Sequence, residues 1–388
     1  MIAGLNTKPR YEILDGLRGV AAMIVVAFHL FETYSPGVTG QILNHGYLAV
    51  DFFFVLSGFV IGYAYDDRWG KGMGTWTFFK RRLIRLHPLL IMGTLVGAAL
   101  FFFTGDHPDF PLVNNTEWWQ VLLVMALCFT LLPLPSTMDI RGWAETNPLN
   151  GAIWSLQWEY IANILYAFVL RRLSKVFLGI LVAVGAVLTI ILCLNIDVTG
   201  WLSAREYATN TVIGGWSTTP EQLQIGVTRL LYPFLCGLLL SRMPKLRIHI
   251  SNGFWWCSLM IAAILVVPRI GRANPENFWM NGLYEAVAIL VLFPLIVCIG
   301  AGSSEMGGKS FRVCKFLGDI SYPLYVTHYP LVYLQMSFAT THADAPLGVH
   351  VMVAVSLFLI AVGMAYAFLK LYDLPLRKWL SEKLLKTR

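Results

Sequence analysis

Apolar runs long enough to cross a membrane recur along the whole chain, and they decide what it can fold into. They fall at 13–33, 47–66, 86–104, 152–170, 176–194, 251–268, 281–300, 317–338 and 348–369. Each is close to the ~20 residues an α-helix needs to span a hydrocarbon core. A tenth run, 229–242, is short and is completed by its outer flank. Hydrophobic residues make up 57% of the 388 and charged residues 13%, with mean hydropathy +0.63. A soluble chain of this length needs far more polar surface, and no stretch is left for a sizeable soluble domain. In lipid every backbone polar group must be satisfied internally, so the expected fold is all-α and polytopic. The first run contains Arg18 and reaches Glu32 without a small-residue cleavage site, which reads as a retained helix. The six cysteines form no C-x-x-C pair and lie in or beside apolar runs, so they read as packing residues.

Charge asymmetry orders these runs. The segment 118–132 is short and is ringed by Trp118, Trp119, Pro133 and Pro135. If it does not cross and the N-terminus is cytosolic, 23 of the 29 Lys and Arg lie in cytosolic segments. Arg18 then lies in the membrane, with Arg141, Arg205, Arg229, Arg269 and Arg272 outside. A full span at 118–132 destroys this bias. The positive-inside rule thus predicts about ten spans, both termini cytosolic, and 118–132 re-entrant or interfacial. The net charge of +7 is then accounted for by topology and anionic membrane lipid, and no nucleic-acid partner is called for.

Ionisable side chains at membrane depth are costly and are the default functional candidates. The first run, LDGLRGVAAMIVVAFHL, carries Asp15, Arg18 and His29. Arg18 and His29 share a helical face ~16 Å apart along the axis. Arg18 reads either as functional or as a snorkelling cation paired with Asp15, and His29 as functional or as an interhelical hydrogen bond. Asp51 in YLAVDFFFVLSGFVIGYAY fits a histidine-orienting carboxylate and an interfacial residue equally well, and Ser57–Gly58 permits close helix approach. FKRRLIRLHP places Arg82 and Arg85 on one face at a helix start, suited to phosphate and also to plain positive-inside retention. Glu159 in WSLQWEY sits inside a span between Trp154 and Trp158. LGDISYPLYVTHYP holds Asp319, Tyr322, Tyr325 and His328, with Pro323 and Pro330 interrupting the backbone bonding as at a lined cavity. The eight histidines lack metal-ligand spacing, so no metal is expected.

Five of these segments, in this order, resemble the bacterial integral-membrane acyltransferase-three family: LDGLRGVAAMIVVAFH, YLAVDFFFVLSGFVIG, FKRRLIRLHP, WSLQWE and LGDISYPLYVTHYP. The resemblance runs from Tyr11 to Leu376 and implies ten spans and O-acylation of a glycan or similar acceptor in the inner membrane. It implies that Arg18 and His29 are essential, that Arg82 and Arg85 bind acyl-CoA, and that Glu159 belongs to the active centre. Many members carry a further extracellular esterase-like domain; this chain is expected to be a standalone member. Residues 1–376 are expected as the acyltransferase domain and 377–388 as a basic cytosolic tail.

The expected chemistry follows. Acetyl-CoA or another acyl-CoA enters from the cytosol with its phosphates on Arg82, Arg85 and Arg18, and its arm threads toward His29. His29 is the expected general base, with Glu159 orienting or charge-stabilising its ring. Trp158, Asp51, Tyr325 and His328 are expected to contact substrate. Trp201, Tyr207 and Trp216 in the loop 195–228 are sugar-contact candidates or ordinary belt aromatics. A secondary transporter or flippase of a glycan or lipid precursor is the competing class, and dependence on acyl-CoA separates the two.

Overall fold

The computed structural model describes residues 8, 10–35, 43–105, 107–205, 209–271, 274–303 and 307–385; Tyr207 and Arg272 lie outside these. Among the described residues every regular element is helical. In chain order they are α1 (Glu12–Glu32), α2 (Ala49–Tyr65), α3 (Thr75–Leu100), α4 (Trp118–Cys128) and α5 (Trp154–Phe168). Next come α6 (Lys175–Cys193), α7 (Pro220–Ser241), α8 (Gly253–Val266) and α9 (Phe278–Val287), which runs through a π turn into α10 (Phe293–Gly302). Then follow α11 (Gly308–Thr327), α12 (Tyr329–Thr341), α13 (Leu347–Phe368) and, after a second π turn, α14 (Leu374–Leu384).

Seven helical segments among the described residues are long and apolar enough to cross a membrane. The other three expected runs also fall on helices. α5 has only 15 residues, α8 has 14, and the run 317–338 breaks at His328 between α11 and α12. The helix α4 has 11 residues, ~16 Å at 1.5 Å per residue, about half a hydrocarbon core. It is closed at its start by a Glu117/Gln120 capping box and exposes Trp118 and Trp119, as an interfacial helix does. The boundary expected between 376 and 377 falls inside α14, which packs on α3.

Small residues set the bundle's centre. α1 lies against α11, and α2 against α7. A Cβ at Gly19 would collide with the carbonyl of Leu317, one at Gly58 with that of Phe234, and one at Gly237 with that of Val55. Backbones this close need glycine on both faces, because in lipid close packing itself drives helix association. Gly58→Ala is expected to cost ~1–3 kcal/mol by overpacking. Gly363→Ala, on α13 where nothing lies within 4 Å, is expected to be neutral. Thermal midpoints in detergent compare them, and equal midpoints would refute this packing account. α6 and α13 show broad apolar surface outward, as lipid-facing helices do.

The α11–α12 break has a local cause. Pro330 lacks the N–H that would bond the carbonyl of Val326. Asn150 supplies the missing donor, its Nδ2 lying 2.7 Å from that carbonyl. The loop before α5 is thereby tied to the break, and Tyr325 and Tyr329 are left to line the interior.

Candidate active site

Three chambers follow one another through the bundle and share wall residues. The first is a charged mouth lined by Arg10, Asp15, Arg18, Arg85, Lys315, Asp319, Asp373 and Arg377. Its ion pairs are Arg18–Asp15 at 3.2 Å, Lys315–Asp319 at 3.0 Å and Arg377–Asp373 at 2.9 Å. Arg85 makes no hydrogen bond or ion pair among the described residues, so its guanidinium remains available to an anion. Arg18, Arg85, Ser321 and Tyr322 also line the second, inner chamber.

The inner chamber is walled by Phe53, Ser57, Arg82, Ser155, Glu159 and Tyr325 besides the residues it shares. Arg82 and Arg85, three apart on α3, diverge in role. Arg82 is buried and donates through Nη2 to Glu159 Oε1 at 2.6 Å, and Ser57 Oγ donates to the same oxygen at 3.0 Å. Glu159 therefore bonds Arg82 and Ser57, and not His29, whose ring it was expected to orient or charge-stabilise. Ser155 Oγ and the Tyr325 hydroxyl lie 2.6 Å apart at the far end.

The third, outer chamber meets the inner one at Val50 and Tyr325 and encloses about 1260 Å³ including its open mouth. His29 lines it from the last turn of α1, and its Nδ1 lies 2.8 Å from Oε2 of Glu32. A carboxylate oxygen only accepts, so Nδ1 carries the proton and Nε2 is left as the basic nitrogen. The acidic partner of His29 is thus Glu32, which sequence reasoning passed over although it stands three residues on, on the same helical face. Tyr329 packs edge-on against the His29 ring, with centroids 4.8 Å apart. Trp143, Glu145, Trp154, Trp216 and Arg229 complete the walls.

Other expected site residues fall off the chamber walls. Asp51 is fully buried and paired with Arg229, with its Oδ2 2.7 Å from Nη2 and its Oδ1 3.3 Å from Nε. Arg229 also donates to the carbonyls of Tyr47 and Gly214, pinning the loop 209–217 to α2. Trp158 donates through Nε1 to the carbonyl of Gly215 at 3.1 Å and packs over Gly226; Trp154, one turn earlier, reaches the outer chamber instead. His328 is buried beside His29, ring centroids 5.6 Å apart. Its Nδ1 lies 2.9 Å from the carbonyl of Tyr325, one turn back in α11, while its buried Nε2 has no hydrogen-bond partner among the described residues. Of the expected substrate-contact residues only Tyr325 is on a wall, and it is on both. Trp216 lines the outer chamber, whereas Trp201 is exposed away from it.

The bundle thus holds an unpaired arginine at its charged mouth and a carboxylate-backed histidine in its outer chamber, groups suited to binding a polyanion and to moving a proton. Residues 11–370 match the acyltransferase domain family, and the chain belongs to that family. It is 32% identical over 187 residues to a Rhizobium radiobacter protein named protein 2 in the picA locus, covering 47% of this chain and 94% of that one. It is 26% identical over 372 residues to a candidate peptidoglycan O-acetyltransferase of Bacillus subtilis, YrhL, covering 92% of this chain and 54% of that one. It is 22% identical over 396 residues to the O-acetyltransferase OatA of Staphylococcus aureus, covering 96% and 58%. The chain thus spans little more than half the length of these two O-acetyltransferases. No solved structure matches it.

Proposed function

We propose that this protein transfers an acyl group, acetyl in the first instance, from cytosolic acyl-CoA to a hydroxyl of a cell-envelope glycan. The observation that carries this reading is the sharing of wall residues. Arg18 and Arg85 belong to both mouth and inner chamber, and Val50 and Tyr325 to both inner and outer chamber. A donor with a polyanionic head and a long thin arm fits such a route, its phosphates at the mouth and its thioester near Tyr325. The Lys and Arg bias along the sequence favours a cytosolic mouth, and with it cytosolic termini in the bacterial inner membrane. Residues 1–376 then form the transferase unit, with the basic segment 377–388 on the cytosolic side.

In the step itself the acceptor hydroxyl oxygen attacks the thioester carbonyl carbon while His29 Nε2 takes the hydroxyl proton. The tetrahedral intermediate expels CoA thiolate, which takes the proton back from the imidazolium. The products are the O-acyl ester and CoA thiol. Glu32 holds the tautomer and stabilises the transient positive ring, as a carboxylate does behind a catalytic histidine. Arg82, held by Glu159 and Ser57, fixes the inner wall past which the arm runs. Family membership supports transfer over transport.

The test follows acetyl-labelled acetyl-CoA into the glycan, lipid and small-molecule fractions of membranes containing the protein. Label entering the glycan fraction only with active protein supports the reading; no label in any fraction, with no acetyl-CoA bound, overturns it. Arg85→Ala is expected to raise the half-saturating acetyl-CoA concentration about 10- to 100-fold, the size of one hydrogen bond to a charged group. Its half-saturation for acceptor should stay unchanged, and an equal effect on both would remove Arg85 from the donor site.

A further inference from the structure

The outer chamber contains an acidic group that the transfer step does not use. The segment 139–147 is folded to present it. Asp139 accepts hydrogen bonds from the backbone N–H groups of Arg141, Gly142 and Ala144, which forces a tight turn with Gly142 and Ala144 at positive φ. That turn brings Trp143 and Glu145 to the chamber wall. Behind it Arg141 is buried, its guanidinium 3.6 Å from the centroid of the Tyr333 ring. The Tyr333 hydroxyl accepts from the backbone N–H of Gly151 at 3.1 Å and donates to Glu145 Oε2 at 2.6 Å. The other carboxylate oxygen, Oε1, takes no hydrogen bond from any described residue. Glu145 is only 5% exposed, so it depends on what enters the chamber for its second set of donors. Burial holds its carboxyl up at about 7, the mark of a carboxylate short of donors.

The chamber that Glu145 lines also carries the rings of Trp143, Trp154, Trp216 and Tyr329. Flat aromatic faces match the apolar C–H faces of a sugar ring, and a carboxylate oxygen matches its hydroxyls. A purely apolar acceptor has no use for the carboxylate, and a strongly anionic group would be repelled by it together with Glu32. We propose that Glu145 is a binding residue of a saccharide subsite, accepting hydrogen bonds from hydroxyls that flank the one being acylated. It rests on the transferase reading above and adds to it the residue that seats the acceptor sugar by its adjacent hydroxyls.

The experiment measures acetyl transfer from labelled acetyl-CoA to soluble peptidoglycan disaccharide and to free N-acetylglucosamine. It compares wild type, Glu145→Gln, Glu145→Asp and Tyr333→Phe. Glu145→Gln keeps a carbonyl for the Tyr333 hydroxyl, and Glu145→Asp stands in should the amide fail to fold. The half-saturating saccharide concentration is expected to rise about 10- to 100-fold in either variant, the size of a hydrogen bond to a charged group. Half-saturation for acetyl-CoA stays at the wild-type value, and Tyr333→Phe gives a smaller rise. A fall in maximal rate with unchanged saccharide half-saturation overturns the proposal by making Glu145 a structural support. Wild-type transfer to neither saccharide, with acetyl-CoA still bound and hydrolysed, overturns the sugar assignment alone. Failure of wild type to bind acetyl-CoA removes the reading beneath it.

Discussion

His29→Ala is expected to abolish acetyl transfer, by about 10³-fold or more, with acetyl-CoA affinity within about twofold of wild type. The separation of the two effects follows from geometry. His29 lines only the outer chamber, whereas Arg18 and Arg85 line the mouth and the inner chamber. A base removed from the far end of the route therefore leaves the polyanionic head of the donor untouched. Glu32→Gln is expected to fall between the two, losing roughly 10²-fold or more in turnover. A glutamine side chain can present an N–H to Nδ1, which reverses the tautomer and puts the proton on Nε2. Glu159→Gln sharpens the contrast. Glu159 bonds Arg82 and Ser57, so its loss should act through donor half-saturation and leave the pH profile of turnover where it was. Single-turnover transfer of labelled acetyl, with acetyl-CoA binding measured in parallel, reads all three. Residual transfer above about a tenth of wild type in His29→Ala would sink the general-base role.

The pairing of Glu32 with His29 shows where sequence reading stops. Period and length were enough for the helices, because a run of some 20 apolar residues has no other stable form in lipid. The glycine contact at Gly58 was also legible, since Ser57–Gly58 in an apolar helix signals close approach. The rare charges marked the right helices, and the five segments that carry the resemblance all contribute side chains to the chambers or their walls. What they did not give was partner choice. Asp51 and Glu159 are each a single carboxylate near a helix end or within a span, and spacing alone cannot say which cation each one meets. That depends on helix rotation and on loops far away in sequence. Arg229, 178 residues from Asp51, is the clearest case. Glu145 was invisible for a further reason. It lies in an irregular segment whose course is set by Asp139, Gly142 and the Arg141–Tyr333 stack, none of which has a periodic signature. Trp154 and Trp158 differ by one helical turn, and only the packed structure says which of them faces the cavity.

The assignment of Asp51 as structural carries its own large effect. Asp51 and Arg229 are buried to 0% and 2% side-chain exposure and 2.7 Å apart. Removing one member leaves the other as an uncompensated buried charge, which costs about 3–5 kcal/mol. Asp51→Ala is therefore expected to lower the thermal midpoint of the detergent-solubilised protein by many degrees. Arg229→Ala should do so as severely, because it also releases the carbonyls of Tyr47 and Gly214. The double replacement Asp51→Leu with Arg229→Met should recover much of the loss, since a well-packed apolar pair of similar volume often equals a buried ion pair. Activity need not return with stability. Arg229 holds the loop 209–217 that brings Trp216 to the outer chamber, and two apolar side chains cannot bind those carbonyls. The double variant should thus fold, bind acetyl-CoA normally and require more acceptor for half-saturation. If Asp51→Ala kept its wild-type midpoint and lost only acceptor affinity, Asp51 would be a substrate contact after all.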